Sequence, residues 1–349
     1  MRVVITGASG NVGSALVERL AAEEQVEAIV GVCRRPHEWR PPKTTWSFLD
    51  VAEADLRPVF DSADVVVHLA WLFQPTRRPL TTWHANVTGT DRVLRAVDAA
   101  GVPAVVVASS VGAYSPRVDL EPVDESWPTH GWPANAYSRE KAFVERLLDV
   151  HELTFTGRRV VRMRPAFTFQ PRASVQQRRL FVGPWAPVAA LRPGRLPVVP
   201  DPGGLHFQAL HAEDAAAAYA QAVLQPVSGA FNLAGEPVLD VPAVAQLLKT
   251  RTVTVPTGLV RNALAAAFHA RLAPAAPDLF ELLTHAPMMS TARARALLDW
   301  EPVHPAQEAV ASFLEGLYSG EGWPTPPLAP GTSGPARRHE LATGVGTVP

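Results

Sequence analysis

Three residues of this chain, Ser110, Tyr137 and Lys141, have side chains that could move a proton together. Tyr137 and Lys141 stand four positions apart in "NAYSREKAFVE", so a helix would place them on one face. Hydride transfer at a carbinol carbon requires a proton to move on its oxygen. A tyrosine suits this if a nearby ammonium lowers the phenol pKa from about 10. Ser110 could hold the substrate oxygen. Each residue also has a purely structural alternative: Ser110 as a strand-end cap, Tyr137 as a half-buried aromatic and Lys141 as a solvated helix charge.

A glycine-rich loop near the start of the chain could bind a phosphate. In "VVITGASGNVGSALV", Gly7, Gly10 and Gly13 lie between an apolar strand and an amphipathic helix. Glycines permit a tight turn and close backbone approach, and the helix N-terminus offers free N–H groups to a pyrophosphate. The pattern therefore predicts a dinucleotide site formed by residues of this loop: Gly7, Ser9, Gly10, Asn11, Val12 and Gly13. The alternative is an ordinary strand-to-helix turn.

The end of the second predicted strand bears on the choice of dinucleotide. An acidic residue there would bond the ribose 2′-hydroxyl of NAD, whereas an arginine accommodates the 2′-phosphate of NADP. In "VGVCRRP", Cys33 is followed by Arg34 and Arg35, which favours NADP and leaves NAD possible. The alternative is that both arginines are solvated loop charges. Asp50 in "SFLDV" could bond the adenine amino group or serve as a turn residue, and Val51 beside it is also predicted to contact the cofactor.

These residues need a scaffold, and short β-branched runs alternate with helical patterns across the first half of the chain. That alternation predicts an α/β fold with a doubly wound, Rossmann-type parallel sheet and a smaller C-terminal substrate-binding lobe. We expect the nucleotide-binding domain over residues 1–167, with return segments near 206–235. The second lobe is expected mainly over 168–322. The Pro/Gly-rich stretch 323–349 is predicted to be a disordered tail.

Composition excludes several classes of protein. The chain has 349 residues, a net charge of −1, 47% apolar and 19% charged residues. It therefore lacks a general electrostatic attraction for nucleic acid or anionic membranes. Its apolar runs are far shorter than the roughly 20 residues that span a bilayer. A single cysteine, Cys33, excludes an internal disulfide and zinc-finger spacing, which together with the lack of an export signal predicts a cytoplasmic location.

The combination of motifs resembles the extended short-chain dehydrogenase/reductase superfamily, in its NAD-dependent epimerase/dehydratase family. The resemblance covers residues 1 to roughly 318. The matching segments run along the chain: "TGASGNVG", "VVHLAW", "NVTGTDRVL", "SSVGAY", "YSREK", "RMRP", "HAEDAAAAY", "FNLAG" and "ALLDWEPVHPAQEAV". The catalytic serine of the family stands four residues before a tyrosine in the segment matched by "SSVGAY", which implicates Ser110 rather than Ser109.

The resemblance implies further roles at matched positions. Leu69 and Ala70 would line the cofactor, and Pro165 would pass close to the nicotinamide. Asn86 would help to hold the central helix. Tyr137 and Lys141 would also contact the cofactor, with Lys141 on the nicotinamide ribose. His211 and Asp214 would be mainly structural, and family members commonly dimerise through a pair of helices that includes the one carrying Tyr137.

Departures from the family pattern limit the substrate prediction. The asparagine that nucleotide-sugar enzymes often carry after the "RP" strand is absent, although Arg172, Arg178 or Arg179 could meet an anionic substrate or be solvated. "SVGAYSP" lacks the acidic pair of dehydratases. The leading hypothesis is an NADP(H)-dependent oxidoreductase acting on a secondary alcohol or ketone. The alternatives are an epimerase that retains its cofactor and a noncatalytic NADP(H) sensor.

Overall fold

The computed structural model describes residues 1–74, 77–185 and 187–347. The first half alternates strands and helices in this order: β1 Arg2–Thr6, α1 Asn11–Ala21, β2 Ala28–Cys33, β3 Thr44–Phe48, α2 Arg57–Phe60, β4 Val65–His68, α3 Pro79–Trp83, α4 Gly89–Ala99, β5 Ala104–Ala108, α5 Ala136–Thr154 and β6 Arg159–Pro165. Strands β1, β4 and β5 consist mostly of buried valine and isoleucine, as expected for strands covered on both faces.

The second half is less regular. Its elements are β7 Phe167–Phe169, α6 Ser174–Gln177, β8 Val198–Asp201, β9 His206–Phe207, β10 Ala209–His211, α7 Ala212–Leu224, β11 Gly229–Leu233, β12 Leu239–Asp240, α8 Val241–Leu247, β13 Arg251–Thr254, α9 Thr257–His269, α10 Pro277–His285, α11 Ala292–Leu298, α12 Ala306–Ser319 and α13 Arg338–Thr343. Many prolines interrupt this half, so its strands are short, and apart from β11 they pair only in twos.

Seven strands form one parallel sheet in the order β11-β6-β5-β4-β1-β2-β3. One face packs on α1 and α7, around Leu16 and Tyr219. The other face packs on α4 and α5, around Val93 and Leu148. Helices on both faces of a parallel sheet confirm the predicted α/β, Rossmann-type fold. Among the described residues, no helix is both long and apolar enough to cross a membrane.

The second lobe has a separate apolar cluster. Leu239, Leu248, Ala306, Val310 and Leu314 form its buried centre. Helix α12 runs through this cluster and also packs on β10, beside the sheet domain. The lobe therefore lies next to the carboxyl-end loops that follow β6.

The stretch 323–347 differs from the predicted disorder. Thr325 and Leu328 are fully buried, and the Thr325 hydroxyl donates to the Ser9 carbonyl oxygen at 2.8 Å. Trp323 packs against Trp39 with ring centres 5.7 Å apart. The prediction of disorder was wrong for these residues because Pro and Gly content reports local preference, whereas docking against the glycine loop orders the segment. We call residues 323–347 the C-terminal segment.

Candidate active site and dinucleotide pocket

The glycine loop joins β1 to α1 and packs against the end of β4. Gly7 has φ +74°, and a Cβ there would lie 2.6 Å from the Ala70 nitrogen. A Cβ on Gly13 would lie 2.3 Å from the Gly7 carbonyl oxygen. Glycine is therefore required at both positions by steric contact. No side chain of the described residues caps the start of α1, so its first N–H groups remain available to an anion.

A pocket opens above the carboxyl ends of β1, β2, β3 and β4. Nine of the residues predicted to bind cofactor line it: Gly7, Ser9, Gly10, Arg34, Arg35, Asp50, Val51, Leu69 and Ala70. The carboxyl ends of parallel strands are where α/β sheets bind ligands. The glycine loop, an uncapped helix start and two arginines fit the phosphates of a dinucleotide.

Six other predicted cofactor residues lie outside that lining: Asn11, Val12, Gly13, Tyr137, Lys141 and Pro165. The Asn11 side chain donates to the Thr168 carbonyl oxygen at 3.0 Å and accepts from the Gln170 amide at 2.8 Å. It therefore ties the glycine loop to β7. Val12 packs against the main core, and Pro165 ends β6 opposite Leu233.

The two arginines after β2 differ in their surroundings. The Arg34 side chain is half exposed and lies 3.8 Å from Asp50. Arg35 is more buried, and this burial, with the neighbouring charge of Arg34, lowers its pKa. Asp50 also accepts a hydrogen bond from the Ala52 N–H at 2.9 Å. Asp50 is therefore both a turn residue and a pocket residue.

Sequence reasoning missed part of the pocket wall, and it named Arg179 only as a residue that could meet an anionic substrate. The segment after β4 contributes Trp71, Leu72, Phe73 and Gln74, the second lobe contributes Gln176, Arg179 and Leu180, and the C-terminal segment contributes Pro327. Trp71 directly follows the "HLA" motif, so its place in the pocket could have been predicted from the sequence. Arg179 and Pro327 lie more than 100 positions from the glycine loop, and only the folded chain brings them there.

Ser110, Tyr137 and Lys141 come together at the end of β5 and the start of α5. Asn135 caps α5 by accepting from the Ser138 N–H at 2.9 Å, which places Tyr137 in the first turn. Gly112 lies under the phenol ring, since a Cβ there would be 2.7 Å from Tyr137 Cε1. Burial raises the pKa of Tyr137 to about 12, and a hydrogen bond with Ser110 acts in the opposite direction.

Lys141 is nearly fully buried, with an exposed fraction of 3%. Its Nζ donates to the Ala108 carbonyl oxygen at 2.7 Å and lies 3.4 Å from the centre of the Trp71 ring. Burial lowers the pKa of Lys141 to about 7, while Glu145 and Glu140 act to raise it. Nζ lies 5.9 Å from the centre of the Tyr137 ring. The expected lowering of the Tyr137 pKa is therefore not observed, because burial dominates.

Trp71 and Phe73 separate these three residues from the pocket. The Phe73 ring stacks on Tyr137 with centres 5.3 Å apart, and Trp71 meets it edge-on at 5.7 Å. Both aromatics line the pocket on their other side. The Ser110, Tyr137 and Lys141 set thus adjoins the pocket through a two-residue aromatic wall.

A polar network fixes this wall to helix α5. The Asn86 side chain exchanges two hydrogen bonds with the Leu72 backbone, at 2.6 and 2.9 Å. It also donates to Glu140 at 2.6 Å, and Glu140 accepts from Thr82 at 2.6 Å. Asn86 therefore connects the segment after β4 to the helix that carries Tyr137, as the resemblance implied.

Ser109, the neighbour of Ser110, has a different environment. Its hydroxyl donates to Glu145 at 2.6 Å, and Arg162 and Arg164 bind the same carboxylate at 2.8 to 3.0 Å. This buried ion network lies under the sheet end. The structure thus separates a serine of the core, Ser109, from a serine beside Tyr137, Ser110.

The remaining candidates have structural contacts. Arg172 binds Glu18 at 2.7 Å and lies over the Trp323 ring, whereas Arg178 is buried against Glu340. His211 starts helix α7, and Asp214 accepts from the backbone N–H groups of Val303 and His304.

The two tryptophans of the loop before Tyr137 also pack within the protein. Trp127 joins the apolar cluster around Tyr114, and Trp132 stacks on His285 with ring centres 4.7 Å apart. Packing therefore accounts for both of these residues.

Comparison with known proteins gives the family. The model of the NAD dependent epimerase/dehydratase family matches residues 3–234, and the chain belongs to this family. This membership confirms the predicted class, an enzyme family of NAD-dependent epimerases and dehydrogenases in the short-chain dehydrogenase/reductase superfamily.

Two curated relatives illustrate the range of matches. An uncharacterised protein of Mycobacterium tuberculosis is 27% identical over 318 residues, which cover 90% of this chain and 30% of that protein. The chain thus spans about a third of the length of the first curated relatives that it matches. L-arabinose 1-dehydrogenase (NAD(P)(+)) of Haloferax volcanii is 36% identical over 159 residues, 42% of this chain and 59% of that enzyme.

Solved structures agree on the fold. UDP-N-acetylglucosamine 4-epimerase from Methanobrevibacter ruminantium has a TM-score of 0.68 and 18% identity, covering 91% of this chain and 98% of its own. MoeE5 in complex with UDP-glucuronic acid and NAD has a TM-score of 0.67 and 20% identity, covering 91% and 99%. At these identities the likeness shows the fold alone.

Proposed function

We propose that this protein is an NADP(H)-dependent oxidoreductase that reduces a ketone to a secondary alcohol. The observation that carries the proposal is the convergence of Ser110, Tyr137 and Lys141 beside a pocket built by the glycine loop. The reduced dinucleotide would supply the hydride. The protein's own residues would position the carbonyl and supply the proton.

The pKa of Tyr137 favours the reductive direction. Burial raises that pKa to about 12, so the phenol is protonated at neutral pH. A protonated phenol is a general acid, which a ketone needs at its oxygen as the hydride reaches its carbon. Ser110 would hold the same oxygen against the phenol. Oxidation of an alcohol would instead need the phenolate, which burial disfavours.

Cofactor binding at Lys141 requires a rearrangement of the aromatic wall. The Trp71 ring lies on the Lys141 ammonium at 3.4 Å, where the resemblance implies the nicotinamide ribose. We therefore expect the indole to move when a dinucleotide binds. The change in tryptophan fluorescence on adding NADPH should be smaller in Trp71→Phe than in Trp132→Phe, whose ring packs on His285.

Replacing Tyr137 with phenylalanine tests the proposal. Wild-type protein should oxidise NADPH in the presence of a carbonyl from a panel of ketoses, nucleotide-linked keto sugars and cyclic ketones. Tyr137→Phe should lose at least about 10²-fold in kcat because the general acid is gone, while its affinity for NADPH stays within about threefold. A noncatalytic sensor would give no turnover in either protein and an unchanged ligand response.

A second candidate is an epimerase that keeps its cofactor between turnovers. The C-terminal segment favours it, since Pro327 lines the pocket and Thr325 bonds Ser9 in the glycine loop. A covered cofactor leaves slowly. Mass spectrometry of nucleotide released on denaturation distinguishes the two candidates: a stoichiometric dinucleotide in freshly purified protein supports the epimerase, and an empty protein supports the reductase.

A further inference from the structure

Arg179 stands out among the buried cations of the described residues. Its exposed fraction is 6%, and it lines the same pocket as the glycine loop. Its Nε and Nη1 have no hydrogen-bond partner among the described residues. A buried guanidinium with free donors is costly, and it is usually retained where an anion completes its contacts.

The backbone around Arg179 is held in place. Its carbonyl oxygen accepts from the Gln74 side-chain amide at 3.2 Å, within the pocket wall. Its Nη2 donates to the Pro327 carbonyl oxygen at 3.3 Å. One bond comes from the segment after β4 and the other from the C-terminal segment. Arg179 is therefore held at the pocket by one backbone bond and one side-chain bond, while two of its side-chain nitrogens have no partner among the described residues.

The nearby acid does not neutralise Arg179 by direct contact. Glu340 is hydrogen-bonded to Arg178 and Ser333. Burial lowers the pKa of Arg179 to about 10, while the charge of Glu340 acts to raise it and the charges of Arg35 and Arg178 act to lower it further. It still carries its charge at neutral pH. The pocket thus has an excess of positive charge shared between Arg179 of the second lobe and Arg35 of the sheet domain.

We infer that Arg179 is a phosphate ligand of the bound dinucleotide, contributed by the second lobe across from the glycine loop and Arg35. The inference rests on the proposed function, since it names a further residue of that cofactor site. Guanidinium groups bind phosphate oxygens through directional, charge-assisted hydrogen bonds. The phosphate could be the dinucleotide diphosphate or the ribose 2′-phosphate, and both present the same chemistry to Arg179.

Titration of variants tests this inference without relying on turnover. The variants are Arg179→Met, which keeps the chain volume and removes the charge, and Arg179→Lys, which keeps the charge and loses the planar donors. Arg195→Met is the matched control because Arg195 is an exposed cation of the same lobe. Thermal melting establishes that each variant folds. Kd is then measured for NADPH, NADH and adenosine 2′,5′-bisphosphate.

We expect Arg179→Met to weaken NADPH binding at least about tenfold, with Arg179→Lys between it and the wild type and Arg195→Met unchanged. Equal weakening of NADPH and NADH binding would show that Arg179 contacts the dinucleotide diphosphate. Weaker binding of NADPH and of adenosine 2′,5′-bisphosphate, with NADH binding unchanged, would show that Arg179 contacts the ribose 2′-phosphate. Unchanged Kd values for all three ligands in Arg179→Met would overturn the inference. If the wild type binds none of them, the proposed cofactor site itself fails.

Discussion

The buried ion network under the sheet end gives a sharp stability prediction. Glu145 has a side chain with 0% exposure, and it is bound by Ser109, Arg162 and Arg164. Glu145→Gln removes the charge but keeps the shape, so it leaves the buried Arg164 guanidinium without its carboxylate and leaves Arg162 with only the carboxylates of Asp149 and Glu152. We expect a loss of about 3–5 kcal/mol in the free energy of unfolding. Glu152→Gln is the control, since that partner of Arg162 is 37% exposed and should cost less than about 1 kcal/mol.

The same network predicts a pH dependence. Burial opposes ionisation of Glu145, but Arg164, Ser109 and Arg162 outweigh it and hold its pKa at about 2. Because this lies below the usual value of 4.5, the stabilisation is complete above pH 4.5 and is lost as the pH falls towards 2. This difference between the folded and usual pKa values of Glu145 corresponds to about 3 kcal/mol of folding stability at neutral pH. About 1 kcal/mol of that stability is lost between pH 6 and pH 4.

Urea denaturation of wild type, Glu145→Gln and Glu152→Gln at pH 6 and pH 4 measures both effects. The stability difference between wild type and Glu145→Gln should be about 1 kcal/mol smaller at pH 4. Two results would refute the reasoning: equal losses for the two variants at pH 6, or a Glu145→Gln difference that does not change with pH.

Three further predictions concern the loop, the C-terminal segment and the surface of α5. Gly7→Ala should lower the free energy of unfolding by more than about 2 kcal/mol and weaken dinucleotide binding, because a Cβ at φ +74° meets Ala70 at 2.6 Å. The control Gly101→Ala, at φ +69° with open space around it, should lower it by only about 1 kcal/mol and leave binding unchanged. Equal losses for the two variants in urea denaturation would refute the steric explanation. Removal of residues 323–349 should speed dinucleotide release in stopped-flow measurements, because Thr325 then no longer holds the glycine loop. An unchanged release rate would show that the C-terminal segment does not retain the ligand. If α5 forms a dimer interface, a charge at its exposed Leu153, which is 81% exposed, should weaken the dimer, so Leu153→Glu should shift sedimentation towards monomer. The control Val303→Glu, at a side chain that is also 81% exposed, should leave sedimentation unchanged.

Local sequence was enough to predict the sheet and much of the pocket. Runs of valine and isoleucine mark strands β1, β4 and β5, and the glycine spacing marks the loop that follows β1. The pair Tyr137 and Lys141 needed only helical spacing. The choice of Ser110 over Ser109 came from family resemblance and stays a prediction; in the structure the Ser109 hydroxyl is bound to Glu145.

Other features depend on contacts that no local pattern contains. Arg179 enters the pocket because the second lobe folds back on the sheet domain, and its sequence neighbours Arg172 and Arg178 have the same residue type but different partners. The C-terminal segment is ordered by burial of Leu328 against the rest of the protein. The Tyr137 pKa was predicted from its distance along the helix to Lys141, whereas desolvation determines it.

We propose that the pocket beside Tyr137 binds a dinucleotide and prefers NADP. Titration of nucleotide-free wild-type protein with NADPH and NADH measures this preference. NADPH should bind at least tenfold more tightly, about 1.4 kcal/mol, and Arg35→Ala should abolish the difference. Equal affinity for the two dinucleotides would contradict the role given to Arg34 and Arg35, and the absence of binding to either would contradict the proposed function.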